Sequence, residues 1–326
     1  MNKRIPIIID CDPGHDDAMT IMWALAYPEL LDIRGIVTCA GNQTIEKTTR
    51  NALRILTFFG RTDIPVAQGA AKPLVKQMKV EGTPIVHGES GLDGPALPEP
   101  ACGTVGMSAV ELLIKLLEES EEKVTILELA AHTNIATLFA ARPDLIEKID
   151  HIYMMGGGTI GNWSPAAEFN IWWDPEAARM TFKTGLPITM AGLDVTQKAY
   201  VTREENERLR GRLRTYEDVI SRNNLAAELI DFYSRYHYEV EGFPGCTLHD
   251  PCAVASLLRP DLFYGEQCYV DVETNGNLTN GMTVIDRINY ITKLTGRQVN
   301  QNTNVLFNVD REGFVEAFLS AMRKLG

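Results

Sequence analysis

Six short, almost wholly apolar runs punctuate the first two-thirds of the chain, at 5–9, 33–40, 65–68, 124–129, 152–155 and 187–193. Between them lie stretches of helical period, at 17–27, 44–59, 108–119, 134–141 and 174–184. A strand that is apolar along its whole length needs cover on both faces, and the connection to a parallel neighbour is usually a helix. The pattern predicts an α/β fold: a mostly parallel central sheet flanked by helices, open rather than closed into a barrel. After Val201 the pattern changes. Thr202 and Glu205 have capping-box spacing, and helical sequence follows to about residue 238. The mainly helical segment 202–258 is expected to lie over the active-site edge of the sheet. Strands at 268–272, 282–286 and 305–309 and a helix at 312–324 complete the chain. No linker, repeat or low-complexity tract interrupts residues 1–326, so they read as one domain, although the length would also permit two.

Composition narrows the function. Lys and Arg total 31 against 43 Asp and Glu, a net charge of −12. So acidic a chain is a poor partner for phosphate backbones, which argues against nucleic acid and for a metal or a neutral or cationic ligand. No apolar run approaches the ~18 residues of a membrane span. The apolar run near the amino terminus ends in acids instead of a small-residue cleavage site, so it does not read as a signal peptide. Cys11, Cys39, Cys102, Cys246, Cys252 and Cys268 form no C-x-x-C pair, and several sit in apolar runs. They read as reduced, buried thiols of a cytoplasmic protein. The N-x-S/T matches at Asn42, Asn162 and Asn277 then carry no glycosylation.

Open parallel sheets bind ligands beyond the carboxyl ends of their strands. Polar residues collect there: Asp10-Cys11-Asp12-Pro13-Gly14-His15-Asp16-Asp17 after the first run, Gly41-Asn42 after the second, and Asp194 and Thr196 after the run at 187–193. Four aspartates in eight residues raise one another's pKa unless a cation neutralises them. A hard divalent ion with oxygen ligands, such as Ca²⁺, meets that need. Asp16 and Asp17 also open a helix, where a plain helix-capping role is the competing explanation. His249-Asp250-Pro251 is the candidate for a further acid. Pro251 suits a first helical position, so Asp250 could be a simple cap, but His249 beside it can exchange protons near neutral pH. In the segment 161–170, Asn162, Glu168 and Asn170 could bind hydroxyl groups. Gly156, Gly158 and Gly161 have the spacing of a dinucleotide fingerprint, but Asn162-Trp163-Ser164-Pro165 follows where a helix is required. No Walker A and no G-x-S-x-G sequence is present.

Together, DCDPGHDDAM (10–19), CAGNQT (39–44), VHGESGLDGP (86–95), MMGGG and GNWSPAAEFNIWWDPEAA within 154–178, GLDVT (192–196) and HDPCAVA (249–255) resemble the inosine/uridine-type nucleoside hydrolases. The HGESGLDGP and AGNQT stretches are most similar to the bacterial pyrimidine-ribonucleoside branch. The resemblance implies hydrolysis of a ribonucleoside to ribose and free base with one bound Ca²⁺. It implies Asp12, Asp17, Asp250 and the Leu129 carbonyl as metal ligands, and Asp12 also as the base that activates a water at the ion. It implies that Asp16, Asn42, Asn162, Glu168 and Asn170 hold the ribose hydroxyls, with His249 near the leaving base. His87 would sit in a loop, 81–103, that closes over the site, and the assembly would be a dimer or tetramer. Tyr233 and His237 share a helix face at i, i+4 spacing and are expected to contact the base, with His237 helping to protonate it. One departure stands out. Where the family has Gly-Pro, this chain has Ala130-Ala131, within Leu129-Ala130-Ala131-His132. That change keeps alive a non-catalytic nucleoside or ribose binder. His132 is expected to point away from the site. Asp10-Cys11-Asp12 also fits, superficially, a haloacid dehalogenase-like phosphatase.

Overall fold

The computed structural model describes residues 3–77, 82–210 and 222–326. Its strands are β1 (Ile5–Cys11), β2 (Leu31–Thr38), β3 (Val66–Gln68), β4 (Val124–Glu128), β5 (Ile149–Met155), β6 (Ile188–Ala191), β7 (Tyr200–Val201), β8 (Cys246–Thr247), β9 (Phe263–Val272), β10 (Thr283–Asp286) and β11 (Thr303–Val309). Nine of them form one sheet in the order β10-β9-β11-β6-β5-β4-β1-β2-β3, and β7 and β8 pair separately. From β11 through β3 all neighbours run parallel, and β9 and β10 add an antiparallel edge.

The apolar runs became strands because both faces of the sheet are dry. On β1, Ile7 and Ile9 join one core and Ile8 the other, all with no exposed surface. The first core is closed by helices His15–Leu25, Ile45–Phe58, Pro251–Leu258 and Arg311–Leu325, and the second by Ala109–Glu119, Thr133–Ala141 and Pro175–Phe182. β1 runs two residues past its apolar run, because Asp10 is held in the ladder opposite Val37 and Glu128. Burial pushes the Asp10 carboxyl up to about 8, and Asn134 Nδ2 donates to its Oδ1 at 2.9 Å. The expected capping box is present: Thr202 N–H donates to Glu205 Oε2 at 2.9 Å, and Glu205 N–H to Thr202 Oγ1 at 3.2 Å.

The described part of the segment 202–258 is mainly helical. It contains helices Arg203–Glu207 and Arg222–Tyr236, a π-helical turn His237–Glu241, strand β8 and helix Pro251–Leu258. Residues 211–221 of the expected helical stretch, and 81 at the start of the expected loop, lie outside the described residues. Helix Pro251–Leu258 is not over the edge but in the core. It packs on β4, β5 and β6 and on helix His15–Leu25, because its small apolar residues are buried on every side. No helix among the described residues is long and apolar enough to cross a membrane.

β2 and β3 extend the sheet to one side of β1, and β4, β5 and β6 to the other. Between β1 and β4 the order reverses, which leaves a crevice at the carboxyl ends of the strands.

Candidate active site

β1 delivers the chain into that crevice at Cys11, and Asp12-Pro13-Gly14 turns it into the helix that begins at His15. Carboxylate oxygens of Asp16, Asp17 and Asp250 all lie within 4.8 Å of one another, and all three residues are buried. Asp250 stands at the cap position of Pro251–Leu258 yet makes no side-chain cap bond. The comparable Asp174-Pro175 pair behaves differently, since Asp174 Oδ1 accepts from Ala177 N–H at 3.1 Å. Plain capping therefore does not account for the Asp250 side chain. Asp17 has both roles. It accepts from the N–H groups of Gly14 at 3.0 Å and Asp12 at 3.1 Å, and it also faces the other acids. Asp12 lies beside the trio instead of within it, its Oδ2 accepting from Asn42 N–H at 2.6 Å. That contact requires glycine at 41, where a Cβ would fall 2.1 Å from Asp12 Oδ2.

The electrostatics are those of unneutralised acids. Burial pushes Asp16 up to about 6, and burial with the Asp16 charge pushes Asp17 up to about 7. Burial, then the neighbouring aspartates, hold Asp12 and Asp250 well above the usual carboxylate range. Among the described residues no Lys or Arg forms an ion pair with any of the four. Buried oxygen donors without a protein counter-charge fit a hard divalent cation.

Beside the acids is a cavity of about 130 Å³. Asp16, Asn42, His87, Leu129, Asn162, Glu168, Asn170, Tyr233, His237, His249 and Asp250 all line it, while Asp12 and Asp17 lie outside the lining. A larger groove of about 910 Å³ runs along His151, Thr189, Asn302 and Asn304, without convergent acids.

One hydrogen-bonded set gathers around β4 and β5. Asn170 Nδ2 donates to the carbonyls of Leu129 at 2.9 Å and Met155 at 3.2 Å. Glu168 accepts from the N–H groups of Gly157, Asn170 and Ile171, capping the helix Phe169–Trp173. Burial nevertheless pushes its carboxyl up to about 7. Asn162 Oδ1 accepts from Phe169 N–H at 2.9 Å. The three glycines 156–158 all have positive φ, and the fingerprint spacing serves this tight exit from β5 instead of a dinucleotide.

A second set is aromatic. Tyr233 donates its hydroxyl to Asp16 Oδ2 at 3.2 Å and meets His237 edge-on at 4.4 Å between centroids. His87, on the short helix Pro84–His87, stacks on His15 at 5.3 Å and on Tyr233 at 5.2 Å. His237 Nε2 meets the Thr247 hydroxyl, which lies 3.0 Å from His249 Nε2, and His249 Nδ1 meets Thr196 Oγ1 at 2.8 Å. The expectation that His249 titrates near neutral pH is corrected: burial lowers it to about 4, and burial lowers His237 to about 3.

Sequence reasoning missed the His15 stack, the Thr247 bridge, and Tyr236 and Glu241 in the lining. The only available signal was position, since His15 lies inside the acidic loop and Tyr236 and Glu241 flank a residue already singled out. The altered 129–132 turn keeps Leu129 in the cavity wall. His132 is not in that wall. It is fully buried, its Nδ1 4.0 Å from Glu128 Oε1 and its ring 6.3 Å from Phe182. Five of the six cysteines are buried and none is paired, with Cys102 half-buried.

Residues 7–316 match the family model described as inosine-uridine preferring nucleoside hydrolase. The chain is 50% identical over 321 residues, 98% of each chain, to a pyrimidine-specific ribonucleoside hydrolase, RihA, of Escherichia coli O127:H6. Among solved structures it resembles a purine-preferring ribonucleoside hydrolase from Gardnerella vaginalis, with 31% identity, a TM-score of 0.87 and coverage of 98% of both chains. It also resembles a plant nucleoside hydrolase, the PpNRh1 enzyme, with 31% identity and a TM-score of 0.87 over 98% of this chain and 99% of the other.

Proposed function

The chain belongs to the inosine-uridine preferring nucleoside hydrolase family, and is thus an N-ribohydrolase; from that premise we propose that it cleaves pyrimidine ribonucleosides, uridine and cytidine, to ribose and free base. We place it in nucleoside salvage in the cytoplasm, as one domain per protomer of a homodimer or homotetramer that uses Ca²⁺. Similarity to the pyrimidine-specific relative supports the base class. The observation that carries the chemistry is the convergence of Asp16, Asp17 and Asp250 beside a cavity lined by amides and rings.

Asp17, Asp250, the Leu129 carbonyl and Asp12 or Asp16 would hold the ion. When bound, it supplies neutralising charge, a grip on the ribose diol and a lowered pKa for a water. Asp12 takes the proton of the attacking water. Asp16, Asn42, Asn162, Glu168 and Asn170 hold the sugar hydroxyls. The surrounding carboxylates stabilise the oxocarbenium-like charge that develops on the ring. Tyr233 and His87 enclose the base. His249 and His237, neutral near pH 7 and joined through the Thr247 hydroxyl, line the base side of the cavity, and the departing base takes its proton from water.

A panel of uridine, cytidine, inosine, adenosine and their 2′-deoxy forms, run with and without Ca²⁺, tests this. Pyrimidine ribonucleosides should be cleaved fastest. The deoxy forms should be slower by about 10²-fold or more, because groups built to bind the missing hydroxyl are left unpaired. Chelation should abolish turnover and Ca²⁺ restore it. Full activity after verified metal removal, or turnover of an aryl phosphate in place of nucleosides, contradicts the reading.

A further inference from the structure

Glu241 is the acid of the cavity wall to which the mechanism above gives no task. It ends the π-helical turn that follows the helix Arg222–Tyr236. Gly242, at φ 71°, closes that turn, and the N–H groups of Gly242 and Phe243 both return to the His237 carbonyl. Wide turns of this kind recur at functional sites. Here the turn sets Glu241 Oε2 3.7 Å from His237 Nε2. That nitrogen is already engaged by the Thr247 hydroxyl. Glu241 Oε2 is therefore buried without a hydrogen-bond partner, on a side chain 18% exposed. A buried acceptor in this condition is costly unless a ligand completes it. Its neighbours in the wall are Tyr236 and His237, in the aromatic set that faces a base, and not in the amide set around Asn170.

We propose that Glu241 reads the base, accepting a hydrogen bond from the exocyclic amino group at position 4 of a pyrimidine, so that cytidine is preferred to uridine. The proposal rests on the pyrimidine reading above. An ionised carboxylate offers acceptors only. Cytosine presents an amino donor at position 4, whereas uracil presents a carbonyl oxygen there. Uridine in the same pose would set two acceptors against each other. Burial pushes the Glu241 carboxyl up to about 7, so the contrast is sharpest in mildly alkaline buffer.

The test is a competition at pH 8.5 between cytidine and uridine for the full-length protein with Ca²⁺, which reads the ratio of the two kcat/KM values. Cytidine should lead by about tenfold, within the range of one well-placed base-edge contact. Glu241→Gln, whose amide can donate to the uracil oxygen, should bring that ratio to about one or below. A second measurement needs no variant: free cytosine should inhibit the unsubstituted enzyme several-fold better than free uracil or 2-pyrimidinone. A ratio unchanged within twofold in Glu241→Gln, or equal inhibition by the three bases, overturns the role of Glu241. An unsubstituted enzyme that cleaves neither nucleoside overturns the pyrimidine reading itself, and this inference with it.

Discussion

Asp250 shows how one side chain can be withdrawn from local structure for a distant purpose. Its backbone occupies a helix cap, but its carboxyl joins Asp16 and Asp17. Replacing it should therefore not behave like the loss of a cap, which costs about 1 kcal/mol. Asp250→Asn should leave the stability of the metal-free protein unchanged or higher, since it replaces a carboxyl whose ionised form is disfavoured by burial and then by Asp16 and Asp17. It should also erase the increase in Tm on adding Ca²⁺, and turnover with it. A lower metal-free Tm in thermal melts would return Asp250 to the ordinary caps. Gly41 makes a related point through sterics. An added methyl would collide with Asp12 Oδ2, so Gly41→Ala should lower kcat by about 10²-fold or more. Gly60, at φ 66° with open space around its missing Cβ, is the control. Gly60→Ala should cost about 1–2 kcal/mol of stability and leave kcat unchanged.

At the scale of elements, the β4 exit holds a buried acid beside a buried imidazole. Glu128 is the last residue of β4, fully buried, opposite Asp10 across the ladder. His132 lies 4.0 Å away, a spacing that would suit an ion pair. Charge and burial disagree with that description. Burial, then Asp10, hold the Glu128 carboxyl well above its usual range, and burial lowers His132 to about 3, each shift opposite to the one an ion pair would cause. Glu128→Gln should therefore cost less than about 1 kcal/mol in urea unfolding, because no ion pair is lost. A true buried ion pair would lose about 3–5 kcal/mol. Elements also mark the limit of reading a sequence. The strands were legible because apolar runs need cover on both faces, and the Thr202 box because capping is local. The helix Phe169–Trp173 was not, since Phe-Asn-Ile-Trp-Trp is too short to show a period and is organised by Glu168 reaching Gly157 N–H. Nor was the π-helical turn, whose residues have no pattern of their own.

For the whole molecule, the rule that ligands sit beyond strand ends pointed to Asp16 and Asn42, which line the cavity, and to Asp194 and Thr196, which do not; the other lining candidates came from local motifs, helix spacing and the family resemblance. What it could not place was how distant segments meet: Tyr233 on Asp16, His15 under His87, and Thr247 between two imidazoles depend on the packing of helices against the finished sheet. The cost of assembling so many acids in one crevice falls on the entire fold, and its pH dependence follows from the shifts. Asp16 rises from 3.8 to about 6, Asp17 from 3.8 to about 7 and Glu168 from 4.5 to about 7. Each folded-state pKa is above the unfolded value, so between about pH 4 and 7 these carboxyls bind more protons in the metal-free native state than in the unfolded chain. Their contribution to stability falls as pH rises, being fully present below the unfolded pKa values and lost as pH passes the folded ones. Surface carboxylates such as Asp144, lowered by hydrogen bonds from Arg142, act in the opposite sense at lower pH, and His132, His237 and His249, lowered by burial, act in the opposite sense up to about pH 6.5. Ca²⁺ competes with those same protons, so the stabilisation it gives should grow with pH. Melts of chelator-treated protein should show Tm declining from pH 7 to pH 8, where the histidines are neutral in both states. The increment on adding millimolar Ca²⁺ should be small at pH 5 and large at pH 8. A metal-free Tm that climbs across this interval would mean that the crevice acids are already neutralised by something in the protein, and the site would then have no need of an ion.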